Sequence, residues 1–397
     1  MTSSLILTAY TTVNACGSGL NETLQALRSG RSGLRSCDFG EAELDTYIGR
    51  VAGVEDAPVG SDLTDFDCRN NRLAQMALQA DGFSEAVAGV VERYGSERIA
   101  VVMGSSTSGV GEAEIAYRNR SPDSGALPES FRFDKTHDFY SLPYFVSAYL
   151  NLDGPNTTVS AACASSSKVF ADAWQWIAAG ICDAAVVGGV DSLCLLTLRG
   201  FNSLELLAKG PCRPNDVARS GLSVGEAAGF ALLERVQMPP PGSVALLGYG
   251  ESSDAYHMSA PHPEGKGALL AMRAALAQAG LEPGDIDYIN LHGTGSRAND
   301  TVEDRAVYEI FGSGVPTSST KGWTGHALGA AGIVEAVISC LCLREGFIPA
   351  NLNLETLDPE LNCAVQQVSV DRPIKRVLSN SFGFGGSNCS IILGTAS

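Results

Sequence analysis

Hydrophobic positions in this chain gather into short unbroken runs separated by helical spacing. RIAVVMG (98–104) and AAVVGGV (184–190) are apolar at successive residues, which predicts strands covered on both faces. NTTVSAA (156–162) predicts another strand, followed by a helix over about 164–179. The opening segment, MTSSLILTAYTTVNACGSG, reads as a first strand and turn. Apolar strands alternating with helices indicate a parallel sheet covered on both sides.

The second half echoes this order. A helix at about 266–280 precedes the strand YINLHG (288–293) and the helix DTVEDRAVYEIFG (300–312). A short strand VPTSST (315–320), a glycine-rich turn and a long apolar helix over 326–344 follow, and the chain finishes with a strand pair around VLSNSFGFGGSNCSIIL (377–393). QMPPPGS (237–243) is the most linker-like stretch, so the expected organisation is two similar α/β halves, residues 1–240 and 241–397. Both halves use an apolar strand, a small-residue turn and a helix N-terminus. The first turn holds Cys163 in SAACASSSK (160–168), and the second holds Lys321, Gly325 and His326 in STKGWTGHALGAAGIVE (319–335). Approximate two-fold symmetry between the halves would bring Cys163 to His326.

Bulk properties narrow the function. A chain of 397 residues, 45% hydrophobic and 18% charged, is globular and long enough for one large or two fused domains. Its 11 cysteines are odd in number, without C-x-x-C pairs or zinc-ligand spacing, which fits a reducing cytoplasm. No basic leader and no run of about eighteen apolar residues is present, so neither a signal peptide nor a membrane span is expected. A net charge of −17 argues against nucleic-acid binding and means that an acidic partner would need a local basic patch. A thiol at a helix N-terminus is expected to have a lowered pKa and to act as a nucleophile. Gly221-Leu222-Ser223-Val224-Gly225 has the form of a serine-hydrolase elbow but follows a polar segment rather than an apolar strand. HGTGSR lacks the glycine spacing of a dinucleotide fingerprint, so no nucleotide is expected.

Cys163, the segment NLHGTGSRAND with His292 at a strand end, and the Lys321…His326…Glu335 series are joined by CRPNDVARSGLSVGEAAG (212–229) and NSFGFGGSN (380–388). In their order along the chain, and over nearly its whole length, the set resembles the β-ketoacyl-carrier-protein synthases of the elongating type. The resemblance implies a thiolase-like fold of five layers, α-β-α-β-α, built from two similar halves. It implies a dimer through the strand leading to Cys163, with a copy of this chain or a related chain-length-factor subunit as the second member. It also implies a decarboxylative Claisen condensation without cofactor or metal. Cys163 would take an acyl chain from an acyl carrier protein, and malonyl-carrier thioester would lose carbon dioxide and attack it, in fatty acid or polyketide-like (aryl polyene) synthesis.

Under the same resemblance His292 and His326 would donate to the malonyl thioester oxygen, and Lys321 would orient the site with Glu335 behind it. The backbone N–H groups of Cys163 and Phe384 would form the oxyanion hole, Phe384 also serving as gate. Thr294 and Ser296 would hold the pantetheine arm, and Thr107 would border the acyl pocket. Arg69 and Arg72 in DCRNNRLAQM would dock the carrier, with Lys209 and Arg213 as a second cationic pair. Asp300 and Glu303 are expected to be structural, and His137, His257 and His262 fit no catalytic motif. Lys168, Leu222 and Ala227 depart from housekeeping members and point to a specialised pathway. The rival reading is the non-catalytic chain-length factor, which lacks the nucleophilic cysteine.

Overall fold

The computed structural model describes residues 5–396. The first part of the chain contributes β1 (Leu5–Asn14), β2 (Ile99–Gly104), β3 (Asn156–Val159), β4 (Ala184–Asp191) and β5 (Ala227–Glu234). The second contributes β6 (Val244–Ser253), β7 (Tyr288–Asn290), β8 (Pro316–Ser318), β9 (Ala364–Val365), β10 (Arg376–Phe382) and β11 (Ser387–Thr395). Hydrogen bonds link them in the order β9-β8-β7-β10-β11-β6-β1-β5-β4-β2-β3. A short antiparallel contact, Leu5–Leu7 with Val244–Leu246, joins the two parts.

Going outwards from that contact, each part repeats one topology. β1-β5-β4 and β6-β11-β10 are antiparallel, and β4-β2-β3 and β10-β7-β8 are parallel. β3 and β8 therefore occupy matching places, and the turns after them match as well.

The helices that matter for the site are α1 (Arg69–Leu78), α2 (Ser165–Ala178), α3 (Lys266–Ala279), α4 (Arg297–Phe311), α5 (Lys321–Thr324) and α6 (Ala331–Glu345). Their packing follows from the doubly apolar strands. Ala100 and Val102 of β2 face a central core with Phe170 and Ile177 of α2 and Ile333 and Ile338 of α6, while Ile99, Val101 and Met103 face an outer core with Leu73 and Ala74 of α1. In the second part Leu378 and Ile392 face a third core with α3 and α4. Outer helices, strands, central helices, strands and outer helices make five layers. α6 is buried at every position from Ala331 to Leu343, as expected of a helix that is apolar all round.

Small residues set the approach of the central helices. A Cβ at Gly104 would lie 2.6 Å from Ser166 Cα, and one at Gly332 would lie 2.1 Å from Ser167 Oγ. Two boundaries differ from the sequence pattern. The apolar stretch 326–344 is not one helix, because Leu328 takes φ 51° in a 3-10 turn (Leu328–Ala330) before α6 begins. α4 starts earlier than the pattern suggests, at Arg297, because the Ser296 hydroxyl caps it by accepting from Asn299 N–H. No helix among the described residues is long and apolar enough to cross a membrane.

Candidate active site

The two matching turns meet at the seam between the strand layers. After β3 the chain passes through Ala162 at φ 48° and Cys163 before entering α2. A non-glycine residue there costs on the order of 1–3 kcal/mol and persists only where neighbours hold it. Ala161 N–H donates to Ser165 Oγ (2.9 Å), whose hydroxyl donates to Ala162 O (2.6 Å). Opposite, β7 delivers His292, β8 leads into Lys321 at the start of α5, and Gly325 at φ 72° turns the chain to His326.

His326 Nε2 lies 3.0 Å from Cys163 Sγ. The two imidazole rings stand 5.2 Å apart at 82°, and Sγ and one nitrogen of each ring lie within 4.8 Å of one another. Lys321 Nζ donates to the His292 carbonyl, ion-pairs with Glu335 Oε1 and lies 3.4 Å from His292 Nδ1. An ammonium can only donate, so Nδ1 accepts and His292 carries its proton on Nε2. Nδ1 of His326 is buried without a partner among the described residues. An unmatched lone pair is tolerated better than an orphaned N–H, which favours the Nε2–H tautomer here too. Nε2–H of His326 then faces the sulfur, and Nε2–H is the donor that His292 offers. Backbone contacts fix their bases: Glu303 accepts from His292 N–H and Gly293 N–H, both at 2.8 Å, and His326 N–H donates to Ser223 O at 2.7 Å.

Burial dominates the electrostatics. It pushes both imidazoles well below their ordinary range, reinforced by the Lys321 charge, so both are neutral near pH 7. It lifts Glu335 to about 7 against the pull of Lys321, and lifts Glu303 to about 7. The Cys163 thiol is pushed up to about 11, although Lys321 and the Phe384 N–H pull it down. This corrects the expected lowering: the field of one helix end does not outweigh removal from water.

A cavity opens beside the sulfur, lined by Cys163, His292, His326, Thr294, Ser296 and Phe384 among others. Thr294 and Ser296 hydroxyls are 3.0 Å apart, and Phe384 packs against Phe201 with ring centroids 5.9 Å apart. The buried Asp300 accepts from Asn215 N–H and Gly295 N–H, tying down the loop that carries Thr294 and Ser296. Cys163, His292 and His326 are ligand types suited to a soft metal. Asn290 and Ser379, register partners on β7 and β10, and Glu335 Oε2 are buried polar groups with unmatched oxygen atoms of the kind a hard cation takes.

Two expectations gain no support from the geometry. Thr107 does not line this cavity: its hydroxyl and N–H both donate to Asp191 Oδ1 at 2.9 Å. Arg69 and Arg72 are not free cations. Arg69 grips the buried Glu226 with Nε (2.7 Å) and a terminal nitrogen (2.6 Å) and pairs with Glu55, while Arg72 holds Asp67 in the same bidentate manner at 2.6 and 2.7 Å. A guanidinium neutralised this way is a brace within the fold. Sequence reasoning missed Asp191, whose partners are distant in sequence, and Ser223, where the hydrolase-like motif serves instead to hold the His326 backbone. It also missed Asp254, Ser259 and Pro261 on the cavity wall, in a stretch without periodicity.

The chain matches the model for the beta-ketoacyl synthase N-terminal domain over residues 5–238 and that for the C-terminal domain over 244–355. It belongs to the β-ketoacyl synthase family. The 3-oxoacyl-[acyl-carrier-protein] synthase 2 of Coxiella burnetii is 31% identical to this β-ketoacyl synthase over 408 residues, 98% of each chain. That of Rhizobium meliloti is 41% identical over 264 residues, a stretch that spans 62% of each protein. A chain in the solved complex of a Xenorhabdus doucetiae ketosynthase with its chain length factor superposes with a TM-score of 0.89 at 39% identity, covering 99% of this chain and 98% of that one. A β-ketoacyl synthase from Burkholderia phymatum gives 0.88 at 27% identity over the full length of both.

Proposed function

We propose that this β-ketoacyl synthase condenses an acyl chain carried on Cys163 with malonyl-acyl carrier protein, giving a 3-ketoacyl-carrier product two carbons longer. The observation that carries the reading is the buried triangle of one thiol and two neutral imidazoles, with the Lys321–Glu335 pair behind His292. In the first half-reaction Sγ attacks the acyl thioester, the S–carbonyl bond forms, and the bond to the carrier sulfur breaks. The thiol proton ends on the departing carrier sulfur. The oxyanion is met by the Phe384 N–H, with the Cys163 N–H as the second donor, each such donor contributing on the order of 3 kcal/mol. In the second half-reaction malonyl-carrier loses carbon dioxide, and the electron pair left behind forms an enolate. His292 and His326 Nε2–H groups stabilise its oxygen. The carbanion attacks the acyl-enzyme, and the released sulfur takes up one proton.

Thr294 and Ser296 hold the pantetheine arm at the cavity wall. With Arg69 and Arg72 each gripped by a carboxylate, and Arg213 3.6 Å from Glu355, carrier docking falls first to Lys209. Lys209 is exposed, makes no ion pair among the described residues, and lies three positions beyond the cavity-lining Leu206. Similarity to the Xenorhabdus complex supports a chain-length-factor partner, and the departures at Lys168, Leu222 and Ala227 support a specialised, polyketide-like pathway. The intact set of Cys163, His292, His326 and Lys321 favours the active subunit over that partner. Eleven unpaired thiols suit a cytoplasmic setting.

Incubation with acyl-carrier protein followed by peptide mapping should place the added mass on the Cys163 peptide. His292→Ala should still be acylated but lose malonyl decarboxylation by about 100-fold or more, the scale of a missing charge-stabilising donor. Acylation elsewhere, or normal decarboxylation by the variant, refutes these assignments.

A further inference from the structure

Asp191 ends β4 fully buried, and among the described residues no cation pairs with it. Its carboxylate is instead surrounded by neutral donors from two turns. From the turn after β2 come Ser105 Oγ (2.7 Å), Ser106 N–H (2.9 Å) and Oγ (2.5 Å), and Thr107 N–H and Oγ1 (both 2.9 Å). From the turn after His326 comes Gly329 N–H at 2.6 Å. Six donors saturate the roughly four lone-pair sites of a carboxylate.

The Gly329 contact is the consequential one. It lies three residues beyond His326, and Leu328 between them is held at φ 51°, a strained conformation for a branched side chain. A Cβ at Gly329 would lie 2.7 Å from Asp191 Oδ2 and 2.8 Å from Ser106 N, so only glycine allows this approach. On its other side the His326 backbone is already clasped, donating to Ser223 O at 2.7 Å and accepting from Gly225 N–H at 2.9 Å. The ring is thus carried on a segment pinned at both ends. Releasing one end frees the strained turn and lets the imidazole drift from Sγ.

We propose that Asp191 is a positioning residue for His326, fixing through Gly329 the turn that aims its Nε2 at the reacting atoms. The inference rests on the role given to His326 above. It also explains why this turn sequence is rich in serine and threonine hydroxyls: they serve the carboxylate.

The test compares Asp191→Asn, Ser106→Ala and His326→Ala in the two half-reactions, acylation of Cys163 and decarboxylation of malonyl-carrier, with circular dichroism as the check of folding. Asparagine keeps the shape but turns an amide NH₂ against N–H donors. In Asp191→Asn the ratio of decarboxylation to acylation should fall about 10- to 100-fold, since a displacement near 1 Å can cost about 100-fold. The Ser106→Ala change removes one donor to Asp191 and should move the ratio about 3- to 10-fold in the same direction. A purely structural role would lower both half-reactions together with the folded fraction and leave the ratio unmoved. That result, or an unchanged Asp191→Asn enzyme, overturns the proposal. If Asp191→Asn does not fold, an unchanged ratio in Ser106→Ala overturns it instead. His326→Ala separates the two levels: should it decarboxylate normally, the reading of His326 itself is wrong, whatever Asp191 does.

Discussion

Opposing influences act on the Cys163 sulfur. Burial raises its pKa most strongly, Lys321 and the Phe384 N–H lower it, and Asp191 and Glu335 raise it further. With a value pushed up to about 11, the resting group keeps its proton at pH 7. Its alkylation by uncharged iodoacetamide should therefore climb steadily through pH 9, and a plateau below pH 8 would show a thiolate instead. The imidazoles titrate the other way. His292 and His326 are held below their ordinary value, so the folded state resists protonation and loses stability as pH falls below about 6.5, where the unfolded chain takes up protons first. Cys163, His292, His326 and Lys321 were legible in the sequence because each sits in a motif at a strand end. Asp191 was not, because a single acid after an apolar run looks like a strand terminus and its six donors come from positions 105–107 and 329.

At the level of elements, the parallel strands could be read directly from unbroken apolar runs, since coverage on both faces leaves no polar alternate. Helix ends were less visible. The break at Leu328 depends on Asp191 reaching across from another strand, which no local propensity encodes. Glycine positions carry the closest packing. Gly104→Ala would set a methyl group 2.6 Å from the Ser166 backbone, with no flexible side chain to yield. The variant should lose at least about 1–3 kcal/mol of stability, measurable as a lower urea midpoint, with the α2 turn that holds Cys163 displaced. An unchanged midpoint would mean that α2 slides freely on β2.

Across the whole molecule, the charge of −17 made any paired arginines look like a docking patch. In three dimensions both are already paired: Glu226, remote in the sequence, and Asp67, five residues before Arg72, claim the guanidinium groups. Arg69→Glu would set a third carboxylate beside Glu55 and Glu226 and leave the fully buried Glu226 without its cation. Breaking a buried pair costs about 3–5 kcal/mol, so this variant should melt early while its folded fraction keeps the normal salt dependence towards carrier protein. Lys209→Glu should do the reverse, raising the Michaelis constant for carrier substrates at low salt with stability unchanged. If Arg69→Glu alone altered carrier affinity, the brace would be a docking residue after all.

Oxidative chemistry gives the burial of the nucleophile a further meaning. Peroxide attacks thiolates that solvent can reach, and each step beyond sulfenic acid is hard to reverse. Cys163 is 6% exposed and protonated at rest, whereas Cys37 is the one cysteine of the chain that is not buried. In a synthase built this way the bond-forming sulfur is shielded from solvent oxidant between substrates, while Cys37 is the more accessible thiol.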